Sequence, residues 1–157
     1  MKKTITLTEK VIISDPCYKV GFRGQTALDN ILAGVWKVNV DDINNDPWGG
    51  RIRSLTVTHK EYPRTGIKEL LSYITADSGQ CGIFNADYYA SRQPDDNYDN
   101  PQSWYRRICD ITLNSPRWGT IDDAGAVTQS GFGDGMYPVY VARNEEGSIV
   151  GIRIKFL

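Results

Sequence analysis

The apolar residues of this chain alternate with polar ones in short runs, and nearly every run stops at Gly, Pro, Asn or Asp. Period-two alternation marks a half-buried strand, and the turn residues at its ends say where it stops. Trp36, Val38 and Val40 share one face of such a segment, with Lys37 and Asn39 on the other. Ile52, Leu55 and Val57 are the apolar members of residues 51–59, where Ser54 breaks the strict period. Residues 70–76 read as a strand closed by Asp77-Ser78-Gly79, and a short apolar run follows from Cys81 to Phe84. The clearest pair comes last. Tyr137-Pro138-Val139-Tyr140-Val141 runs to Asn144-Glu145-Glu146-Gly147. The return strand sets Val150, Ile152, Ile154 and Phe156 on one face and Arg153 and Lys155 on the other, as in a β-hairpin. Another hairpin is expected over residues 119–130, turning at Asp123-Ala124-Gly125.

Near the start, Ile5, Leu7 and Val11-Ile12-Ile13 suggest an opening hairpin or a bent strand that ends at Asp15-Pro16. Helical signals are few. Residues 26–32 place Leu28, Ile31 and Leu32 on one side, with Gly34 to close a short helix. Asn85 stands where it would cap a brief helix through Tyr88 and Tyr89. Residues 104–113 fit either a strand or a helix. Residues 44–50 and 93–102 are loops by composition. The second holds Asp95, Asp96 and Asp99 and is expected to be mobile. No repeat or composition shift divides the chain. The expectation is one α+β domain over residues 1–157, β-rich, with a mainly antiparallel mixed sheet, two or three short helices and a C-terminal β-hairpin.

With 157 residues, 40% apolar and 24% charged, the composition is that of a soluble globular protein able to bury a core. Eighteen Lys and Arg against 19 Asp and Glu leave a formal charge of −1. That argues against a dedicated nucleic-acid binder but not against a local basic patch. The three cysteines are an odd number without a CxxC pair, so reduced thiols are expected rather than a disulfide framework or a zinc knuckle. No apolar run approaches the roughly 18 residues of a membrane span. The basic start Met1-Lys2-Lys3 leads into alternation rather than a signal-peptide core, so a cytoplasmic location is expected.

Three turns combine acidic, small and thiol residues directly after strands. They are Ser14-Asp15-Pro16-Cys17-Tyr18, Asp77-Ser78-Gly79-Gln80-Cys81-Gly82, and Ser130-Gly131-Phe132-Gly133-Asp134-Gly135-Met136-Tyr137. Glycines let backbone N–H groups approach a ligand, and side-chain oxygens can fix its polar groups. If these turns converge, Asp15, Asp77 and Asp134 line one pocket. Ser78, Gln80 and Ser130 then add polar contacts, and Tyr18, Trp104 or Tyr137 supplies a ring to stack on. Each turn also has a plainer reading as an Asx turn or a left-handed glycine turn. Neither a phosphate loop nor GxGxxG is present. A hydrolase would use carboxylates such as Asp77 as general acid and base, or Cys81 as nucleophile with the single histidine, His59. His59 reads instead as a solvent-facing strand residue, and Cys81 and Cys109 as small buried hydrophobes. No calcium loop or zinc ligand set is present, and neither a metal nor a cofactor is expected. Arg51, Arg53, Arg106 and Arg107 have aromatic neighbours in sequence, yet Arg51 and Arg53 more simply describe the wet face of a strand.

The segment from Ser130-Gly131-Phe132-Gly133-Asp134-Gly135 through Tyr137-Pro138-Val139-Tyr140 and Gly147 to Phe156 resembles the C-terminal part of a family of small uncharacterised bacterial and phage proteins. Asp77-Ser78-Gly79 followed by Ile83-Phe84-Asn85 is similar to its middle motif, where Asp takes the place of Asn85, and the Asp15-Pro16 turn is similar too. The resemblance implies a β-rich domain and no carried-over catalytic residue. It also implies an accessory protein of a bacterial host's cytoplasm, of the kind that captures a small nucleotide signal or neutralises a host protein. The leading expectation is therefore a non-enzymatic binder of a small polar ligand. A small hydrolase and a protein-interaction module are the alternatives. An edge strand able to pair with a second copy leaves a homo-oligomer open.

Overall fold

A strand that is apolar on one side must bury that side, and a second sheet is the simplest cover. The computed structural model describes residues 3–43, 50–92 and 95–157. In chain order its elements are β1 (Lys3–Leu7), β2 (Val11–Ser14), β3 (Thr26–Leu28), β4 (Gly34–Ile43), β5 (Arg51–His59), β6 (Glu69–Ala76), β7 (Gln80–Asn85), α1 (Ala86–Arg92), α2 (Trp104–Thr112), β8 (Trp118–Ile121), β9 (Gly125–Gln129), β10 (Gly135–Arg143) and β11 (Ile149–Lys155). One sheet has the order β1-β4-β5-β11-β10-β6 and the other β3-β2-β7-β9-β8. Every strand ladder is antiparallel. The expected mixed sheet is thus replaced by two antiparallel ones, because each neighbouring pair runs in opposite directions. Among the described residues the helices number two.

The core lies between the sheets. Trp36, Leu55, Ile74, Val139 and Ile152 from the first meet Val11, Ile13, Cys81, Ile83 and Ala126 from the second. All six residues of β7 are buried. Its outer face is covered by the helices, where Phe84 packs on Tyr89 and Trp104 with Ile108 alongside. That explains the unbroken apolar run from Cys81 to Phe84: a central strand covered on both sides has no wet face. The opening segment is the bent strand, since β1 joins the first sheet and β2 the second.

Several local expectations change. Residues 26–32 form no helix: Thr26–Leu28 pairs with Val11–Ile13 as an edge strand, and Ile31 bridges to Ile149. Asn85 does not cap α1. Its side-chain oxygen accepts from the Thr8 N–H at 2.8 Å and its nitrogen donates to the Thr6 carbonyl at 2.9 Å, clasping the bend between β1 and β2. Residues 104–112 are helical, started by Ser103, whose hydroxyl accepts from the Arg106 N–H. The hairpin β10–β11 forms, but a bulge shifts its register beside Ala142 and Arg143. Val150 therefore leaves the face of Ile152 and Ile154 and packs with Ile67 and Ala142. A second bulge, between Asp41 and Asp42, accounts for the broken period near Ser54. Of the two loops read from composition, residues 44–49 and 93–94 lie outside the described residues. Residues 95–102 are exposed turns in which the Asn97 and Asn100 side chains accept backbone N–H groups. No helix among the described residues is long and apolar enough to cross a membrane.

The β8–β9 turn holds the helical layer in place. Asp122 and Asp123 have φ of 51° and 52°, the left-handed pair of a tight hairpin turn. The Asp122 carboxylate accepts two hydrogen bonds from Arg107 and one from the Tyr88 hydroxyl. These bonds, from Arg107 first and Tyr88 second, hold its pKa at about 2, below the ordinary 3.8. A depressed carboxyl stabilises the fold above its unfolded pKa and loses that contribution as pH falls from 3.8 toward 2. The carboxylate is 34% exposed, so solvent screening limits the contribution to about 1 kcal/mol. Asp122→Asn, which keeps the turn conformation, should lower stability at neutral pH by about 1 kcal/mol. It should also flatten the acid limb of the unfolding midpoint between pH 4 and 2, while an unchanged limb would remove Asp122 as its source.

Candidate functional site

The Asp15-Pro16 turn follows β2 into the interior. Asp15 is fully buried, and its carboxylate accepts four hydrogen bonds at 2.8 Å. One comes from the Cys17 N–H, which closes a local Asx turn. The other three come from the Asp77 N–H, the Ser78 N–H and the Ser78 hydroxyl, 62 and 63 positions along the chain. The Asp15 carboxylate therefore ties two turns together and faces no open space. Tyr18 completes the join, donating its hydroxyl to Asp77 and pairing with Thr75. From the helical side, Tyr89 donates to the Asp15 and Tyr18 carbonyls, and the Trp104 indole donates to the Pro16 carbonyl at 2.7 Å.

The third turn docks on the second. The Ser130 N–H donates to the Gly79 carbonyl at 3.0 Å. The Ser130 hydroxyl donates to the Gly133 carbonyl, and the Tyr137 hydroxyl reaches the carbonyls of both Ser130 and Gly133. Gly131 and Gly133, at φ of 55° and 106°, turn the backbone where a side chain would be strained. All three turns thus meet in space.

Beside their junction opens a cleft of about 320 Å³ between the second turn, the third turn and α2. Ser78 and Gln80 line it from one side and Gln129 from another. The Gln80 amide donates to Ser78 and accepts from the Thr112 hydroxyl, and the Gln129 amide donates to the Thr112 carbonyl. This chain of amides and hydroxyls makes a polar floor. Tyr105 and Phe132 also line the cleft, and Phe132 is 71% exposed with the Arg51 guanidinium 4.0 Å from its ring centre.

Of the eight ligand-contact residues expected from the sequence, Ser78 and Gln80 line the cleft. Asp15, Tyr18, Ser130 and Tyr137 build its walls from behind, while Asp77 and Asp134 are exposed at the turns. Trp104 is buried against Phe84 and Tyr89, so it offers no ring to a ligand. Tyr105, Cys109, Thr112, Gln129 and Phe132 were not among the expected contacts. Tyr105, Thr112 and Gln129 stand near the ends of segments read only for their secondary structure, Cys109 reads as a small buried hydrophobe, and Phe132 lies inside a motif valued for its glycines.

The groups a cysteine hydrolase would need do not assemble. Cys81 is fully buried on β7, and burial raises its thiol well above the ordinary range. His59 ends β5 in the other sheet and is 6% exposed, not solvent-facing. Register places it opposite Trp36, the two rings meet edge-on at 5.9 Å, and its Nδ1 accepts from the Glu61 N–H. Burial also raises the Cys109 thiol. The Tyr105 phenol, hydrogen-bonded to Cys109, stands at about 12. At neutral pH these groups are uncharged donors rather than nucleophiles. Among the described residues no three His, Cys, Asp or Glu side chains gather to hold a metal ion.

The class so defined is an antiparallel two-sheet protein with a helical cover over one sheet and a polar cleft at its joined turns. Residues 72–154 match a family described as protein of unknown function (DUF4241), and the chain belongs to that family. The match takes in the second and third turns and every residue lining the cleft, while Asp15-Pro16 lies before it. The chain matches no curated protein and no solved structure.

Proposed function

We propose that this protein is a non-enzymatic binder of a small polar ligand of the nucleotide class, held in the cleft beside the joined turns. The observation that carries this reading is a cleft between the second and third turns and α2, with a polar floor and an exposed ring, whose second turn is anchored from behind by Asp15 of the first. A cleft of about 320 Å³ lies at the small end of ligand sites. Ser78, Gln80 and Gln129 offer donors and acceptors to a base edge or a sugar, Phe132 offers a stacking face, and Arg51 above that ring balances a phosphate. The neutral thiols favour holding a molecule over transforming it. Within this reading the chain is a bacterial or phage accessory factor that removes a nucleotide signal from solution.

The test is capture from a bacterial metabolite extract, followed by denaturation and mass spectrometry of what is released. An unchanged nucleotide is expected, and an altered product would move the protein to the hydrolases. Phe132→Ala, at an exposed position, should leave the fold intact and weaken the captured ligand about tenfold by calorimetry, the loss of one stacked ring. The exposed side chains of Phe132 and Met136 around the third turn favour a second reading, a module that docks on a host protein. Retention of a host protein that Phe132→Ala and Met136→Ala release, with no small molecule captured, would select it.

A further inference from the structure

The six-stranded sheet keeps one face outside the sandwich, and that face is concave and cationic. A hollow of about 590 Å³ is lined by Lys37, Lys60, Arg64 and Arg153. It continues through Asn39, Thr56 and Arg153 into a second hollow of about 490 Å³, lined by Arg53 and Lys155 as well. Six cations therefore face one carboxylate of the lining, Asp41, which sits 3.6 Å from Arg53. In a chain of formal charge −1 this is a strong segregation of charge onto one surface.

Strand register sets the spacing. Thr4, Lys37 and Thr58 stand side by side on β1, β4 and β5. Asn39, Thr56 and Arg153 form the next row, and Asp41, Ser54 and Lys155 the third. Each row carries one cation, Lys37 on β4 in the first and Arg153 and Lys155 on β11 in the next two, the last pair about 6.8 Å apart, with Lys60 and Arg64 beyond the first row. The Arg153 guanidinium is laid across the floor by its hydrogen bond to Thr56 at 3.0 Å.

Between the cations lie the hydroxyls of Thr4, Ser54, Thr56 and Thr58 and the Asn39 amide, the companions of Lys and Arg in phosphate contacts. Val35, Tyr62 and Ile67 add apolar surface to the first hollow only, whereas the cations run through both. Cations spread along two joined hollows suit an extended polyanion better than a compact one.

We infer that the outer face of the six-stranded sheet binds the sugar–phosphate backbone of a single-stranded nucleic acid, without reading its bases. This surface is separate from the cleft and does not depend on what the cleft holds.

The probe is a fluorescein-labelled 20-nucleotide thymidine oligomer, followed by anisotropy with the intact protein. Binding is expected at 50 mM salt. With about five phosphates neutralised, affinity should fall about 100-fold between 50 and 200 mM salt. Lys37→Glu with Arg153→Glu should weaken binding at least tenfold at 50 mM. Should that pair fail to fold, as judged by thermal melting, Lys37→Gln with Lys155→Gln, both at exposed positions, should still weaken it at least threefold. Absence of binding at 50 mM salt, or indifference to both variant pairs, would overturn the inference. Tighter binding of a duplex of equal charge would overturn the choice of a single strand, and displacement by polyglutamate at equal charge would assign the face to an acidic protein instead.

Discussion

Replacing Asp15 by Ala should lower the stability of the fold by about 4 kcal/mol, far more than removing any exposed carboxylate. The side chain is fully buried and accepts from three backbone N–H groups and one hydroxyl. Truncation leaves four donors without their acceptor, in a space where water does not replace it. Asp15→Asn is nearly the same shape, but it turns one oxygen into a donor that faces other donors, so it should recover little. Ser78→Ala removes a single donor from the same carboxylate and should cost about 1 kcal/mol. Urea unfolding gives the magnitudes, and hydrogen exchange at the Asp77 and Ser78 amides should accelerate selectively in Asp15→Asn. A loss below 1 kcal/mol in Asp15→Ala would mean that the turns are held together by other contacts. Ligand capture by the cleft should fail in the same variant, because its second turn loses its anchor.

A methyl group at Gly82 should be nearly as damaging, at about 3 kcal/mol. The added carbon would lie 2.6 Å from the Ala126 carbonyl oxygen of β9 and would run into the Phe84 ring. Neither neighbour can yield easily, since the carbonyl belongs to the strand ladder and the ring is locked between Tyr89 and Trp104. At Gly125, across the same ring, a Cβ would stand 2.5 Å from Phe84 Cδ1. The two glycines are thus a bed for one aromatic side chain, which explains their place in strands that otherwise favour branched residues. Phe84→Ala would empty that bed and cost about 4 kcal/mol. Gly82→Ala combined with Phe84→Leu should be less destabilising than the sum of the single changes, because the smaller side chain vacates the space the methyl needs. Strict additivity in thermal melting would place the strain elsewhere.

The alternating strands were legible because their period is fixed by one wet and one dry face, as at Trp36, Val38 and Val40. The division into two sheets was not. It depends on the bend between Leu7 and Val11, which Asn85 holds from 77 and 79 positions away. No local signal separates an Asn that caps a helix from one that clasps a distant backbone. Residues 26–28 looked helical because the three-residue edge strand is too short to display its period. In the site, the three turns were legible from their residue types, but their division of labour was not. Asp15 looks equally suited to a ligand or to a neighbouring turn until its four partners are seen. Arg53 reads correctly as the wet side of a strand, yet only register brings Arg153, Lys37 and Lys155 into line with it.

The position of β11 bears on how the molecule is made. It lies between β5 and β10, yet the other strands of the described residues all emerge from the ribosome before it. Without it, β5 and β10 would each present a raw hydrogen-bonding margin open to other nascent chains. Completion therefore waits on contacts distant in sequence, such as Ile154 against Leu55, so folding should be slow and should profit from a chaperone that shields the gap during translation.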